Sequence, residues 1–182
     1  MNLLIKYFDT KSEFYSILLI HSKKVMEKSL DVAERMINKG YEIDLKLIEE
    51  SAFHHDIGLC EINEPKFDLH GKHPYIAHGY QGKLILNKEG FPKHGLVVER
   101  HVGMGITKQE IVEENLPLPK RDMVPITWED KIVCYSDKFY SKNPKYGIDD
   151  ELSLNVIRER MLDFKYGKAN FHKFLEWHKL IT

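Results

Sequence analysis

Apolar side chains recur every three or four positions along most of this chain, the rhythm of one buried helix face. Phe14, Ile17, Leu18, Val25, Val32, Ala33 and Met36 keep that rhythm after Ser12, an N-cap residue, and Gly40 supplies a stop. Asp44 caps a second predicted helix, with Leu45, Ile48 and Ala52 on one face, ending near Gly58. Residues 59–72 lose the rhythm and contain Pro65 and Gly71, so they read as a loop. Pro74 suits a first helical turn that Gly90 can end, and Pro92 opens another helix through Val97, Val98 and His101. Thr107 and Glu110 form a capping box before a short helix that stops ahead of Pro117. Residues 116–125 hold three prolines and are irregular. Thr127 and Asp130 repeat the capping-box pattern for a helix ending near Pro144, and residues 150–166 and 167–181 complete a last helical region. No stretch alternates at period two, so strand should be minor. The expectation is an all-α bundle of about seven helices. It forms one domain over residues 1–182, with its core at about 12–140 and a C-terminal helical extension at about 150–181.

Several polar residues break the apolar faces. His21 lies four residues from both Ile17 and Val25. His55 follows Ala52 by three and Ile48 by seven, and Asp56 follows Ala52 by four. His78 lies four past Pro74, His101 follows Val97 by four, and Asp137 follows Val133 by four. One inward histidine is ordinarily a core imidazole satisfied by a hydrogen bond. An inward carboxylate needs an arginine or a metal beside it, because an unpaired buried charge is costly. Inward histidines and aspartates on five separate helices would each need a partner, whereas one metal centre satisfies them all. Mixed imidazole nitrogen and carboxylate oxygen suits iron, manganese, zinc, cobalt or nickel, with magnesium also allowed.

Composition narrows the class. The chain has 182 residues, with 27 basic and 28 acidic side chains and a formal net charge of −1. That balance argues against an extended nucleic-acid partner held by bulk charge. The longest apolar runs are a few residues, far below the roughly 20 of a membrane-spanning helix, and the N-terminus lacks a secretory pattern. The expectation is a cytoplasmic protein with no membrane partner, and a homodimer is left open. Cys60 and Cys134 have no metal-ligand spacing and read as core or near-core thiols. Phe164, Phe171, Phe174 and Trp177 recur at helical spacing and read as packing. His70, His172 and His178 read as structural or surface residues.

The order His21, His55-Asp56 within the string HHDIG, His78, His101 and Asp137 resembles the H…HD…H…H…D pattern of the HD-domain metal-dependent phosphohydrolase superfamily. The resemblance covers about residues 12–140 and implies that family's helical bundle. It implies one ion on His21, His55, Asp56 and Asp137, and a second on Asp56, His78 and His101, with Asp56 bridging. The activity it implies is hydrolysis of a nucleotide or another phosphorylated small molecule by a metal-activated hydroxide, which Asp56 would orient. Leu59-Cys60 stand where the family often has lysine, so a phosphate contact from there is absent. His73 and His94 are neighbours that could replace His78 or His101. His54 is a candidate acid or phosphate contact, with a surface histidine as the plain alternative. Lys120 and Arg121, in the irregular segment, and Lys138, beside Asp137, are candidate substrate-binding residues, with solvated charge as the alternative for each. Two other readings keep the site: an HD-type di-iron oxygenase, and a non-catalytic nucleotide-binding or signalling module.

Overall fold

In the computed structural model, which describes residues 2–182, the capping residues set the helix starts. Ser12 accepts from the Tyr15 amide at 3.1 Å and opens α2 (Glu13–Asn38), after a single-turn α1 (Leu4–Tyr7). Asp44 accepts from the Leu47 amide at 3.0 Å and opens α3 (Leu45–His54). The chain continues through α4 (His78–Lys88) and α5 (Pro92–Arg100). Thr107 and Thr127 each form complete capping boxes for α6 (Lys108–Glu113) and α7 (Trp128–Asp137). Ser153 caps α8 (Leu154–Leu162), and α9 (Gly167–Ile181) ends the fold. Gly40 and Gly90, at φ +92° and +87°, turn the chain out of α2 and α4, a conformation that costs glycine little. No helix among the described residues is long and apolar enough to cross a membrane.

The fold is all-α, as the hydrophobic rhythm predicts, but there are nine α-helices among the described residues rather than seven. One turn at α1 is too short to show a period, and the last helical region is divided at Gly167 into α8 and α9. The stretch predicted as plain loop contains a two-stranded antiparallel ladder, β1 (Asn63–Glu64) against β2 (Leu69–His70), with Asn63 opposite His70. Three helix ends also differ. α3 stops at His54 rather than near Gly58, because Ile57–Glu61 tightens into a 3₁₀ turn. α4 begins at His78, since Pro74 is extended and Tyr75–Ala77 is another 3₁₀ turn. α7 stops at Asp137, well before Pro144.

The 3₁₀ turn after α3 has a steric cause. A Cβ on Gly58 would lie 2.0 Å from the His78 carbonyl oxygen and 2.4 Å from the Gly82 amide nitrogen. Only a hydrogen at that position lets the start of α4 press directly on the turn. Gly82 repeats the device toward α5, where a Cβ would meet Val98 Cγ1 at 2.6 Å. Three segments that hold inward polar residues are thereby drawn together.

Two apolar clusters fill the interior. One joins Val25, Val32, Ala33 and Met36 of α2 to Ile48 and Ala52 of α3, to α7, and to Phe174, Trp177 and Ile181 of α9. The other joins Phe14, Tyr15 and Leu18 of α2 to Ile57, Leu59, Leu86, Val98, Ile111 and Met123. Along α2 the handover falls between Leu18 and Val25, and after α3 between Ala52 and Ile57. On α5 it falls between the adjacent residues Val97 and Val98. Leu45, expected on the buried face of α3, is partly exposed in the first turn. Cys134 is buried and Cys60 partly so, and burial pushes both thiols up, to about 11 and about 12. Phe174 and Trp177 are core residues, but Phe164 is 72% exposed and does not pack there.

Candidate metal centre

His21, His55, Asp56, His78 and His101 are all buried, and Asp137 is mostly so. His21 comes from the middle of α2, while the others sit at element ends. His55 caps the C-terminus of α3 with Asp56 next, His78 begins α4, His101 caps the C-terminus of α5, and Asp137 ends α7. Helix ends project side chains past the last turn, so five elements can converge on one small volume.

Three histidines are oriented identically. The Nδ1–H of His55 donates to the Ala52 carbonyl at 2.7 Å, that of His78 to Tyr75 at 2.7 Å, and that of His101 to Val98 at 2.6 Å. A carbonyl only accepts, so the proton sits on Nδ1 and each Nε2 carries a lone pair when the ring is neutral. Those Nε2 atoms face one another: His78 to His101 at 3.0 Å, and His55 to His21 at 3.1 Å. Two ring nitrogens at that distance need a proton or a metal cation shared between them. The two oxygens of Asp56 divide the same way. Oδ2 lies 3.1 Å from His55 Nε2 and 3.4 Å from His21 Nε2, whereas Oδ1 lies 3.5 Å from His78 Nε2 and 3.9 Å from His101 Nε2. Oδ1 is buried without a hydrogen-bond partner. Asp137 Oδ1 completes the first group, 3.1 Å from His21 Nε2 and 3.4 Å from His55 Nε2.

These donors fit divalent metal. His21, His55 and Asp137, and likewise His55, Asp56 and His101, offer ligand atoms all within 4.8 Å of one another. Backbone carbonyls on the far ring nitrogens are the usual orienting partners of metal-binding histidines. The electrostatics agree. Burial would raise Asp56, but Lys142 and His55 outweigh it and hold the carboxyl well below its ordinary range. Asp137 is likewise depressed despite burial, by Lys138 and by hydrogen bonds from His21 and His55. Burial would lower His55, but the two aspartates raise it to about 9. Burial lowers His78, and lowers His101 further with help from the neighbouring imidazoles.

A cleft of about 820 Å³ opens onto His78, His101 and Asp137. Lys138 and Lys142 line it near the cluster, and Tyr146, Arg160 and Phe164 line it from the connection to α8 and beyond. The size suits a small-molecule ligand. Lys138 donates to Asp137 Oδ2 at 2.7 Å and to the His101 carbonyl at 3.2 Å, so its ammonium is already engaged. Lys142 donates to Asp56 Oδ2 at 2.5 Å and also reaches His21.

Other predicted residues are not brought to the cluster. His54 is turned away. Its Nδ1–H donates to the Glu50 carbonyl at 2.7 Å, and its Nε2 accepts from the Leu3 amide at 3.1 Å. It is a satisfied, neutral core imidazole whose pKa burial lowers, not an acid or a phosphate contact. Arg121 forms a two-pronged pair with Glu99, at 2.5 and 3.0 Å, opposite Lys83 on the same buried carboxylate. It pins its loop to α5, and neither it nor the exposed Lys120 lines the cleft. His94 donates to Glu50 at 2.8 Å, and His73 pairs through its backbone with residues 61–63, so neither replaces a cluster histidine. His178 bonds to Tyr135, His70 pairs with Asp68 and His172 is exposed.

Sequence reasoning missed Lys142, Tyr146, Arg160 and the exposed Phe164. For Lys142 the missing signal is the helix end. A helix continued to Pro144 turns residue 142 about 140° from residue 137. Because α7 stops at Asp137, the chain folds back and returns Lys142 to the cluster.

Comparisons with known proteins bear on the family and the fold. The HD domain model matches residues 18–141. An uncharacterized protein of Methanocaldococcus jannaschii is 40% identical over 131 residues, which are 71% of this chain and 70% of that protein. A tRNA (cytidine(56)-2'-O)-methyltransferase of Thermoplasma volcanium is 28% identical over 87% of this chain. One of Picrophilus torridus is 32% identical over 89% of it. The chain spans only 41% and 40% of those two enzymes. Among solved structures, the HD domain of the L. monocytogenes phosphodiesterase PgpH, in complex with cyclic-di-AMP, superimposes with a TM-score of 0.56 at 18% identity. The match covers 98% of this chain and 84% of that one. A second structure of the same domain has a TM-score of 0.53 at 16% identity, over 100% and 99% of the two chains.

Proposed function

The chain belongs to the HD-domain family, and from that premise we propose that it is a metal-dependent phosphohydrolase acting on a nucleotide or similar phosphorylated small molecule. One observation carries the reading: the two oxygens of Asp56 face two separate pairs of imidazole Nε2 atoms. A carboxylate so placed can bridge two ions, with His21, His55 and Asp137 on one side and His78 and His101 on the other. Divalent cations held there would supply the acidity that makes water a nucleophile near neutral pH and would draw charge from a phosphoryl oxygen.

The chain's own residues supply the rest. The two carboxylates, Asp56 and Asp137, supply the negative charge that cations held at the centre would need. The cleft presents Lys142 near the ligands and Arg160 farther along, where cationic side chains can hold phosphate oxygens. The exposed Phe164 offers an aromatic face on that outer wall, which suits a nucleobase or another flat group, whereas the Tyr146 ring is already covered by Arg160. The phosphodiesterase domain of similar fold binds a cyclic dinucleotide, which belongs to the same chemical class. The methyltransferase relatives are more than twice the length of the matched stretch, so methyl transfer is not assigned to this chain.

The test uses the purified chain. Metal content is measured by mass spectrometry, and release of phosphate or mononucleotide is followed over linear and cyclic nucleotides with added Mn²⁺. The reading expects bound divalent metal and Mn²⁺-dependent turnover of at least one substrate. Iron with oxygen uptake and no phosphate release would replace it with oxygenase chemistry. Ligand-induced stabilisation without any turnover would replace it with a binding module.

A further inference from the structure

Lys142 occupies the place where the donors of one metal group converge. Its Nζ lies 2.5 Å from Asp56 Oδ2 and 3.2 Å from His21 Nε2. Both atoms belong to the ligand set proposed above for the first cation. The contact compensates a carboxylate that is fully buried, which would otherwise be left uncompensated without metal. An ammonium and a divalent ion cannot share these atoms. Each lone pair serves one partner at such distances, and two cations in contact repel in a site shielded from water. Loading of the metal must therefore move Lys142.

The fold leaves one direction open. Lys142 is carried on the irregular connection between α7 and α8 rather than on a helix, and its side chain already lines the cleft with Lys138 and Arg160. Lys138 is tied to Asp137 and the His101 carbonyl, so it is not the free charge near the ligands. Leu59 and Cys60, which follow the HDIG string, carry no charge and are buried or partly so, so no phosphate contact comes from there.

We propose that Lys142 is a phosphate-binding residue stored on the metal ligands: it holds Asp56 and His21 together in the metal-free protein, and cation loading releases its ammonium into the cleft to bind the substrate's phosphoryl oxygens. The site thus presents this charge to substrate only after its metal has arrived. The phosphate half rests on the phosphohydrolase reading, and the displacement half on the reading of the cluster as a metal centre.

The experiment compares wild type with Lys142→Gln and Lys142→Arg, all stripped with chelator. Mn²⁺ affinity is measured by calorimetry, and inorganic phosphate binding is then measured on the Mn²⁺-loaded proteins. Lys142→Gln removes the competing charge, so its Mn²⁺ affinity should rise about tenfold or more, an order of magnitude for one buried charge contact. Its phosphate affinity should fall by a similar factor, while Lys142→Arg retains phosphate binding. Unchanged or weaker Mn²⁺ binding by folded Lys142→Gln overturns the displacement, and unchanged phosphate binding overturns the phosphate role. Should Lys142→Gln fail to fold without metal, wild type labelled with ¹³C at lysine Cε is titrated with diamagnetic Zn²⁺. The Lys142 resonance, assigned by its loss in Lys142→Arg, must move toward a solvent-exposed position, and an unmoved resonance overturns the proposal. Absence of turnover in loaded wild type bears on the phosphohydrolase reading alone.

Discussion

His55, His78 and His101 each commit Nδ1 to the carbonyl three residues earlier, which leaves three Nε2 lone pairs aimed at the space around Asp56. Asp56 is the residue common to both imidazole pairs. Asp56→Asn should therefore lower bound metal per chain, read by mass spectrometry. It should reduce turnover by more than the ~10–100-fold that disturbing an outer partner costs. The same residues set a pH dependence for the metal-free protein. His55 is raised to about 9, so its contribution is complete below its unfolded pKa of about 6.5 and is lost as pH climbs through 9. His54, His78 and His101 are lowered and must stay neutral, so stability falls as pH drops below about 6.5, where the unfolded chain takes protons they refuse. The depressed aspartates add a further loss below about pH 4, as they protonate. The melting temperature of chelator-treated protein should peak near pH 6.5 and decline on both sides. A monotonic profile would contradict this assignment. Metal uptake must expel the His55 proton, so affinity for Mn²⁺ should rise toward pH 9.

At the scale of elements, the short string HHDIG shows what a sequence can and cannot display. The inward turn of His55 and Asp56 is legible because helical spacing from Ile48 and Ala52 places them on the core face. The opposite course of His54 is only half legible. A step of one residue turns it about 100° off that face, but nothing in the pattern says that the Leu3 amide waits there. The glycine's role is invisible without α4, whose backbone fills the space a side chain would need. Gly58→Ala should therefore force α4 away from the turn. The expected cost is at or above the ~1–3 kcal/mol of overpacking, measured by urea unfolding, together with loss of metal bound through His78. Capping residues made most helix starts legible, because a cap is a local contract between neighbours three residues apart. Helix ends were less so: α3 and α7 both stop where distant groups meet the chain, at the α4 contact and at the His/Asp cluster. Lys142 was lost to view for that reason, and Arg121, placed by its loop composition, is claimed by a carboxylate on α5.

Across the whole molecule, the C-terminal helices complete one of the two cores. Phe174 stacks on Tyr135 of α7 with ring centres 5.2 Å apart and is fully buried. Phe174→Ala should cost about 3–5 kcal/mol in urea unfolding. It should leave the KM of the folded, metal-loaded enzyme near the wild-type value, because Phe174 lies outside the cleft lining. Three of the residues that converge on Asp56, namely His21, His55 and His101, sit where the two apolar clusters meet, between Leu18 and Val25 on α2, between Ala52 and Ile57, and just after Val97 and Val98. Neither cluster alone owns a full set of donors. A nascent chain with only one half consolidated would hold scattered imidazoles of ordinary affinity. Cation capture by the proposed centre would then report on assembly, since it requires both halves to have docked in register.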